Sequence, residues 1–167
     1  MAFTSQDSYK AVNGGEQWTT APCAATNYTN FQDGLETGRF AQLKAGILSN
    51  LDGTTTPDLA GVVLLRKSSA LEDGTAISAE NNVDVDVADF GRVSVYVVPG
   101  VVPVEGESVY AYNNTDNGTE NWGMATNAEA NLASDGTTEV ANASVDAVFY
   151  KEVKAGVWIV TLKQYMK

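Results

Sequence analysis

Three aspartates with the spacing Asp84-x-Asp86-x-x-Asp89 form the motif that most invites a chemical role. Carboxylate oxygens are the ligands that calcium prefers, so the motif is a candidate cation site. Residues 83–87, however, alternate valine with aspartate, which is typical of a half-buried strand. Carboxylates on alternate strand positions lie about 7 Å apart on one face. We therefore expect a solvated strand face rather than a metal site.

A polar stretch, Asn113 to Glu120, offers a second set of oxygen ligands together with Gly118. It departs from the EF-hand pattern, so we expect an exposed hairpin loop, with weak cation binding as the alternative. Trp122 follows directly. An exposed tryptophan beside Asn and Asp side chains could stack on a sugar, and the competing interpretation places Trp122 in the core.

The composition removes most catalytic chemistry. The 167 residues contain no histidine and a single cysteine, Cys23. A Ser-His-Asp triad, a Cys-His dyad and a thiolate zinc site are therefore excluded. Two carboxylates could serve a glycosidase, but among 21 acidic residues some pair always exists. We expect that the protein is not an enzyme and has no catalytic residue, no cofactor and no bound metal.

The formal net charge of −11 limits the kinds of partner that the chain can bind. Nucleic acids and anionic membranes both attract clustered Lys and Arg, and this chain has 10 basic against 21 acidic residues. We expect neither a nucleic-acid nor a membrane partner. Residues 1–7 lack a basic region followed by an apolar run, so we expect no secretory signal. We expect the protein to be made in the cytoplasm.

Short strands and turns must position these residues. Seven runs are apolar or alternate in polarity and are bounded by turn residues, and a short helix is possible only at 41–48 and 126–134. The predicted strands are Arg39–Lys44, Leu59–Arg66, Val83–Val87, Arg92–Val98, Ser108–Tyr112, Val145–Tyr150 and Val157–Leu162. Pro99 and Pro103 predict an edge or a bend for the valines between them. The pattern predicts an all-β fold, a single β-sandwich or β-barrel domain at residues 35–167.

Residues 1–34 lack any sustained period and predict an extended, loop-rich N-terminal arm before that domain. Single aromatic side chains punctuate the polar residues of the arm. They are Phe3, Tyr9, Trp18, Tyr28 and Phe31. Either these aromatics pack into the chain's own core, or the arm docks them on a neighbouring subunit, where large aromatics are effective anchors. We take these five as candidate interface residues.

Four further segments share a strand-and-turn pattern. They are Gly34–Phe40, Leu59–Arg66, Val102–Tyr110 and Ala155–Leu162. In this order they resemble the capsid decoration (cement) proteins of tailed bacteriophages. The resemblance covers residues 31–162 and departs from the family at the N-terminal arm and at the loop of residues 113–121.

The resemblance implies a structural virion protein that lies on the outer surface of an icosahedral capsid. Its partners would be the major capsid protein and further copies of itself in a homotrimer, and its role would be to bridge neighbouring capsid subunits. The alternative is a carbohydrate-binding or adhesin-like β module of a virion spike or fibre, for which Trp122 is the candidate residue.

Overall fold

The computed structural model describes residues 24–64, 76–77, 84–114 and 120–163. Thirteen β-strands and no helix occupy these described residues. In chain order the strands are β1 Ala24–Tyr28, β2 Leu35–Glu36, β3 Phe40–Lys44, β4 Ile47–Asn50, β5 Leu59–Val63, β6 Ala76–Ile77, β7 Val85–Tyr96, β8 Ser108–Ala111, β9 Ala125–Thr126, β10 Ala130–Leu132, β11 Glu139–Ala141, β12 Ala143–Lys154 and β13 Val157–Leu162. The all-β prediction is confirmed. The two segments where a short helix seemed possible form β3 and β4, and β9 and β10.

The long strand β7 joins the two halves of the main antiparallel sheet. The strand order is β4-β3-β5-β7-β13-β12-β8-β9, and β1 also pairs with β7. Residues 85–90 of β7 pair with β1, and residues 91–96 pair with β13. Gly91, with a φ of 94°, lies where β7 changes partners. The Phe90-Gly91 step was expected to separate two strands, and it lies instead inside one.

The half of the sheet from β7 to β9 is curled. The Val98 N–H, just beyond β7, donates to the Ala125 carbonyl of β9 at 3.0 Å, and Val97 forms a bridge with Ala125. The far end of the strand order therefore contacts the end of β7. Two short pairs, β10 with β11 and β2 with β6, lie outside this sheet. The curled, half-barrel sheet is consistent with the predicted sandwich or barrel class.

Two apolar clusters hold the sheet. The larger cluster takes Leu59 and Val62 from β5, and the smaller takes Ala60 and Val63. All five residues of β5 are buried. A strand that is covered on both faces needs a continuous apolar run, which is what residues 59–63 provide.

Gly61 lets β5 and β7 approach closely. Its φ is 136°, and a Cβ at this position would lie 2.0 Å from the Ala88 carbonyl oxygen of β7. Gly123 plays the same part before β9, where a Cβ would lie 2.5 Å from the Phe40 carbonyl oxygen. No side chain fits at these distances, so glycine is required by backbone packing at both positions.

The described part of the predicted arm begins in the main sheet. The strand β1 pairs with β7 between Val85 and Phe90. Residues 29–34 then lead to β2. The prediction for residues 1–23 lies outside the described residues. Within the part of the chain that the structure describes, no helix is long and apolar enough to cross a membrane.

Candidate interaction surface

Two of the three aspartates of the motif share one amide donor. The Asn27 amide nitrogen Nδ2 donates to Asp84 Oδ2 at 3.0 Å and to Asp86 Oδ1 at 2.8 Å. Asp89 is buried, and its Oδ2 accepts a hydrogen bond from Thr26 Oγ1 at 2.6 Å. An amide donor thus occupies the position that a cation would need. Across the described ranges, no group of three or more acidic or cysteine side chains is placed to hold a metal ion.

Asp89 is buried where the register between β1 and β7 shifts. Ala24 pairs with Phe90 and Ala25 pairs with Ala88, so Asp89 is an extra residue in β7. Val85, Val87 and Asp89 are all buried and Phe90 is exposed, as the alternation of side chains along a strand predicts.

Asn113, the first residue of the polar stretch 113–120, stabilises the fold. Asn113 was expected on an exposed loop, but it is buried. Its Nδ2 donates to the Thr54 carbonyl at 2.7 Å, and its Oδ1 accepts from the Gly53 N–H at 3.1 Å. Its own N–H donates to Asn142 Oδ1 at 3.2 Å. Asn113 therefore ties three loops together, and residues 115–119 lie outside the described residues.

Trp122, the candidate sugar platform, lies in the interior with 8% of its surface exposed. The Arg39 guanidinium carbon lies 4.7 Å from the centroid of its ring. Arg39 Nη1 also donates to the carbonyls of Trp122 at 3.0 Å and Glu120 at 2.8 Å. Arg39 Nη2 pairs with Glu36 at 2.7 Å. Burial lowers the pKa of Arg39, and the Glu36 carboxylate opposes that shift. The competing interpretation of Trp122, a core position, is the one observed.

The structure describes two of the five candidate interface aromatics. Tyr28 and Phe31 are half-buried and pack against the smaller core of their own chain. The Gln32 N–H donates to the Leu48 carbonyl at 2.8 Å, and Phe31 forms a bridge with Leu48. Phe3, Tyr9 and Trp18 lie outside the described residues.

The connection between β7 and β8 carries exposed valines that the sequence did not predict. We call residues 98–107 the Val102 loop. Val101 packs against the larger core, and Pro103 is buried. Val102 and Val104 point outward, 81% and 60% exposed. The two prolines indicated an edge or a bend here, but valines in such a run are ordinarily read as core residues.

Hydrogen bonds fix the conformation of the Val102 loop. Glu107 Oε2 accepts from the Val104 N–H at 2.8 Å and from Asn127 Nδ2 at 3.0 Å. These two bonds lower the pKa of Glu107, the Val104 N–H most strongly. The Gly106 N–H donates to the Phe149 carbonyl at 2.8 Å, which attaches the loop to β12. The two exposed valines are therefore held in a defined position.

Comparison with known proteins was informative at the level of structure. No protein-family model and no curated protein sequence matches the chain. A chain from the solved capsid of Myoviridae phage XM1 is similar to it, with a TM-score of 0.79 and 27% sequence identity. The likeness covers 99% of this chain and 98% of that one. The chain has the fold of a phage capsid protein.

This likeness confirms the resemblance to phage capsid-associated proteins that the four sequence segments indicate. It also extends further than those segments, to nearly the whole of this phage-capsid-like chain.

Proposed function

We propose that the chain is a structural virion protein that binds the outer surface of an icosahedral phage capsid. In this proposal it stabilises the capsid by bridging major capsid subunits, and it acts as a homotrimer. The observation that carries the proposal is the likeness to a phage capsid protein over 99% of the chain. That likeness supports a structural role in the virion and a location there.

The stabilising mechanism is mechanical. Packed DNA presses the shell outward, so a protein attached across a junction adds contacts that must break before the subunits separate. Contacts that are linked through one trimer act together, so modest patches give strong retention. A three-fold assembly can close through identical head-to-tail interfaces, which requires no second kind of subunit.

The charge of the chain is compatible with a position facing solvent. The formal net charge is −11 per chain, and three copies would triple it. Repulsion between such surfaces resists clumping of particles. The surface that meets the shell must then be local and apolar, or must be matched by basic residues of the shell.

The proposed role is not catalytic. The chain has no histidine to act as a base near neutral pH. The carboxylates of Asp84 and Asp86 share the amide donor of Asn27. Trp122, the residue named for the carbohydrate-binding alternative, is covered by Arg39. We therefore advance no second function.

Co-sedimentation tests the proposal. Purified protein is mixed with DNA-packed, expanded particles that were assembled without it, and in parallel with compact procapsids. We expect saturable binding to the expanded particles, weak binding to the procapsids, and the mass of a trimer for the free protein. If the protein binds neither the expanded particles nor the procapsids, the proposal is contradicted.

We further propose that Phe3, Tyr9 and Trp18 contact a neighbouring subunit or the shell, because they are large aromatics in an otherwise polar segment. Deletion of residues 2–20 should then weaken trimer formation or particle binding. If the shortened protein keeps both the trimer mass and full particle binding, these three aromatics are not interface residues.

A further inference from the structure

Val102 and Val104 form the most exposed apolar feature of the described residues. The two valines lie two positions apart in the Val102 loop and are 81% and 60% exposed. The residue between them, Pro103, is buried, so both valines project from the same side of the loop. Exposed valines contribute little to the stability of the fold, and their burial against a partner would be favourable.

The loop is already ordered for binding. A turn closes at each end, through the Val101 N–H to the Val98 carbonyl at 3.1 Å and the Glu107 N–H to the Val104 carbonyl at 3.1 Å. The Glu107 carboxylate holds the Val104 N–H between these turns. A partner would therefore not have to supply the free energy of ordering this segment.

The size and charge of the loop distinguish between partners. A stable pair of proteins ordinarily buries about 800 Å² on each partner, far more than two valines offer. Glu105 follows Val104 directly and is exposed, so a two-fold contact that placed two of these loops face to face would bring like charges together. A small patch of this kind suits a surface that presents the same complementary site many times, because an assembly can then engage several sites at once.

We propose that the Val102 loop is the part of the domain that docks on the capsid shell. Val102 and Val104 enter an apolar depression on the major capsid protein, and Glu105 meets Lys or Arg side chains at its rim. This inference rests on the proposed function and specifies which face of the domain contacts the shell.

A double variant, Val102→Asp with Val104→Asp, tests the proposal by co-sedimentation with particles that lack the protein. Leu132→Asp is the matched control, because Leu132 is an exposed apolar residue (52%) of β10, outside the loop. We expect the double variant to bind at least tenfold more weakly and the control to bind like the wild type. Both should keep the wild-type urea midpoint and free mass.

A charge variant tests the proposed contact between Glu105 and basic side chains at the rim of the depression. Glu105→Lys should weaken binding to the particles. Binding of the wild type should fall as the salt concentration rises, because salt screens the attraction between Glu105 and the basic side chains of the shell. Two results would overturn the inference: wild-type binding by the double variant, or loss of the trimer mass in that variant, which would place the loop between copies of the chain. If the wild type itself fails to bind particles, the proposed function fails, which is a distinguishable outcome.

Discussion

At the scale of single residues, Arg39 shows how a buried charge is used in a protein with little basic character. Its guanidinium contacts a carboxylate, two carbonyls and the face of Trp122. The sequence predicts Arg39 only as the first residue of a strand. Nothing in its spacing indicates that its partners lie 81 and 83 positions away. Such contacts depend on the tertiary fold.

Arg39→Met should lower the free energy of unfolding by about 2–4 kcal/mol, because the Glu36 carboxylate and the two carbonyls lose a buried donor. Urea unfolding measures the change. Arg92→Met is the matched control. The Arg92 guanidinium carbon lies 3.7 Å from the Tyr150 ring centroid at a half-buried site, and its loss should cost about 1 kcal/mol or less. Equal losses in the two variants would contradict the structural role of Arg39.

At the scale of the elements, the strands that alternate or run apolar over five or more residues were predictable. β3, β5 and β13 appear where the pattern places them. The pattern failed at Gly91, because a glycine that usually ends a strand here adopts a positive φ inside β7. It also missed β1 and β4, whose residues do not alternate in polarity, and β2, β6, β9, β10 and β11, because strands of two or three residues carry no measurable period.

Gly61→Ala should destabilise the junction of β5 and β7 severely, by more than about 4 kcal/mol or to the point of misfolding. The reason is the 2.0 Å approach of a Cβ to the Ala88 carbonyl oxygen. Gly136→Ala is the control, since Gly136 also has a positive φ (68°) but no atom near the added Cβ. It should lose only about 1–2 kcal/mol. Similar unfolding midpoints for the two variants would show that the close approach is not a constraint.

The turn between β10 and β11 predicts a pH dependence. Thr138 and the N–H of Thr137 donate to Asp135, and these bonds lower its pKa from 3.8 to about 2, the Thr138 hydroxyl most strongly. A lowered pKa in the folded state contributes stability above pH 3.8 that is lost as the pH falls toward 2.

Melting temperatures of the wild type and Asp135→Asn, measured from pH 6 to pH 2, test this dependence. We expect the wild type to be the more stable protein above about pH 4 and the difference to shrink below it, because asparagine does not titrate. A difference that stays constant across the range would show that Asp135 does not contribute in this way.

At the scale of the whole molecule, the sequence indicated the class of protein, and its interface residues stay a prediction. Composition excluded the common catalytic sites, and the resemblance of four segments indicated a phage capsid-associated protein. Of the five candidate interface aromatics, Tyr28 and Phe31 pack against their own chain. The exposure of Val102 and Val104 was not predicted because it follows from Val101 and Pro103 facing inward, which only the folded chain shows.

Stabilisation of particles is the whole-molecule consequence of the account. DNA-packed particles that lack the protein should release their DNA at a lower temperature than particles to which the purified protein has been added. The Leu132→Asp control should restore the higher temperature, and Val102→Asp with Val104→Asp should not. Release can be followed with a dye that fluoresces on free DNA. Equal release temperatures with and without the wild-type protein would contradict a stabilising role.

The most direct test of the central claim is a reconstruction, by electron cryomicroscopy, of capsids that carry the protein. We expect density for this fold on the outer surface, arranged around three-fold positions, across junctions between capsid subunits and with the Val102 loop toward the shell. Density on the inner surface, or copies that each rest on a single capsid subunit without reaching a neighbour, would contradict it.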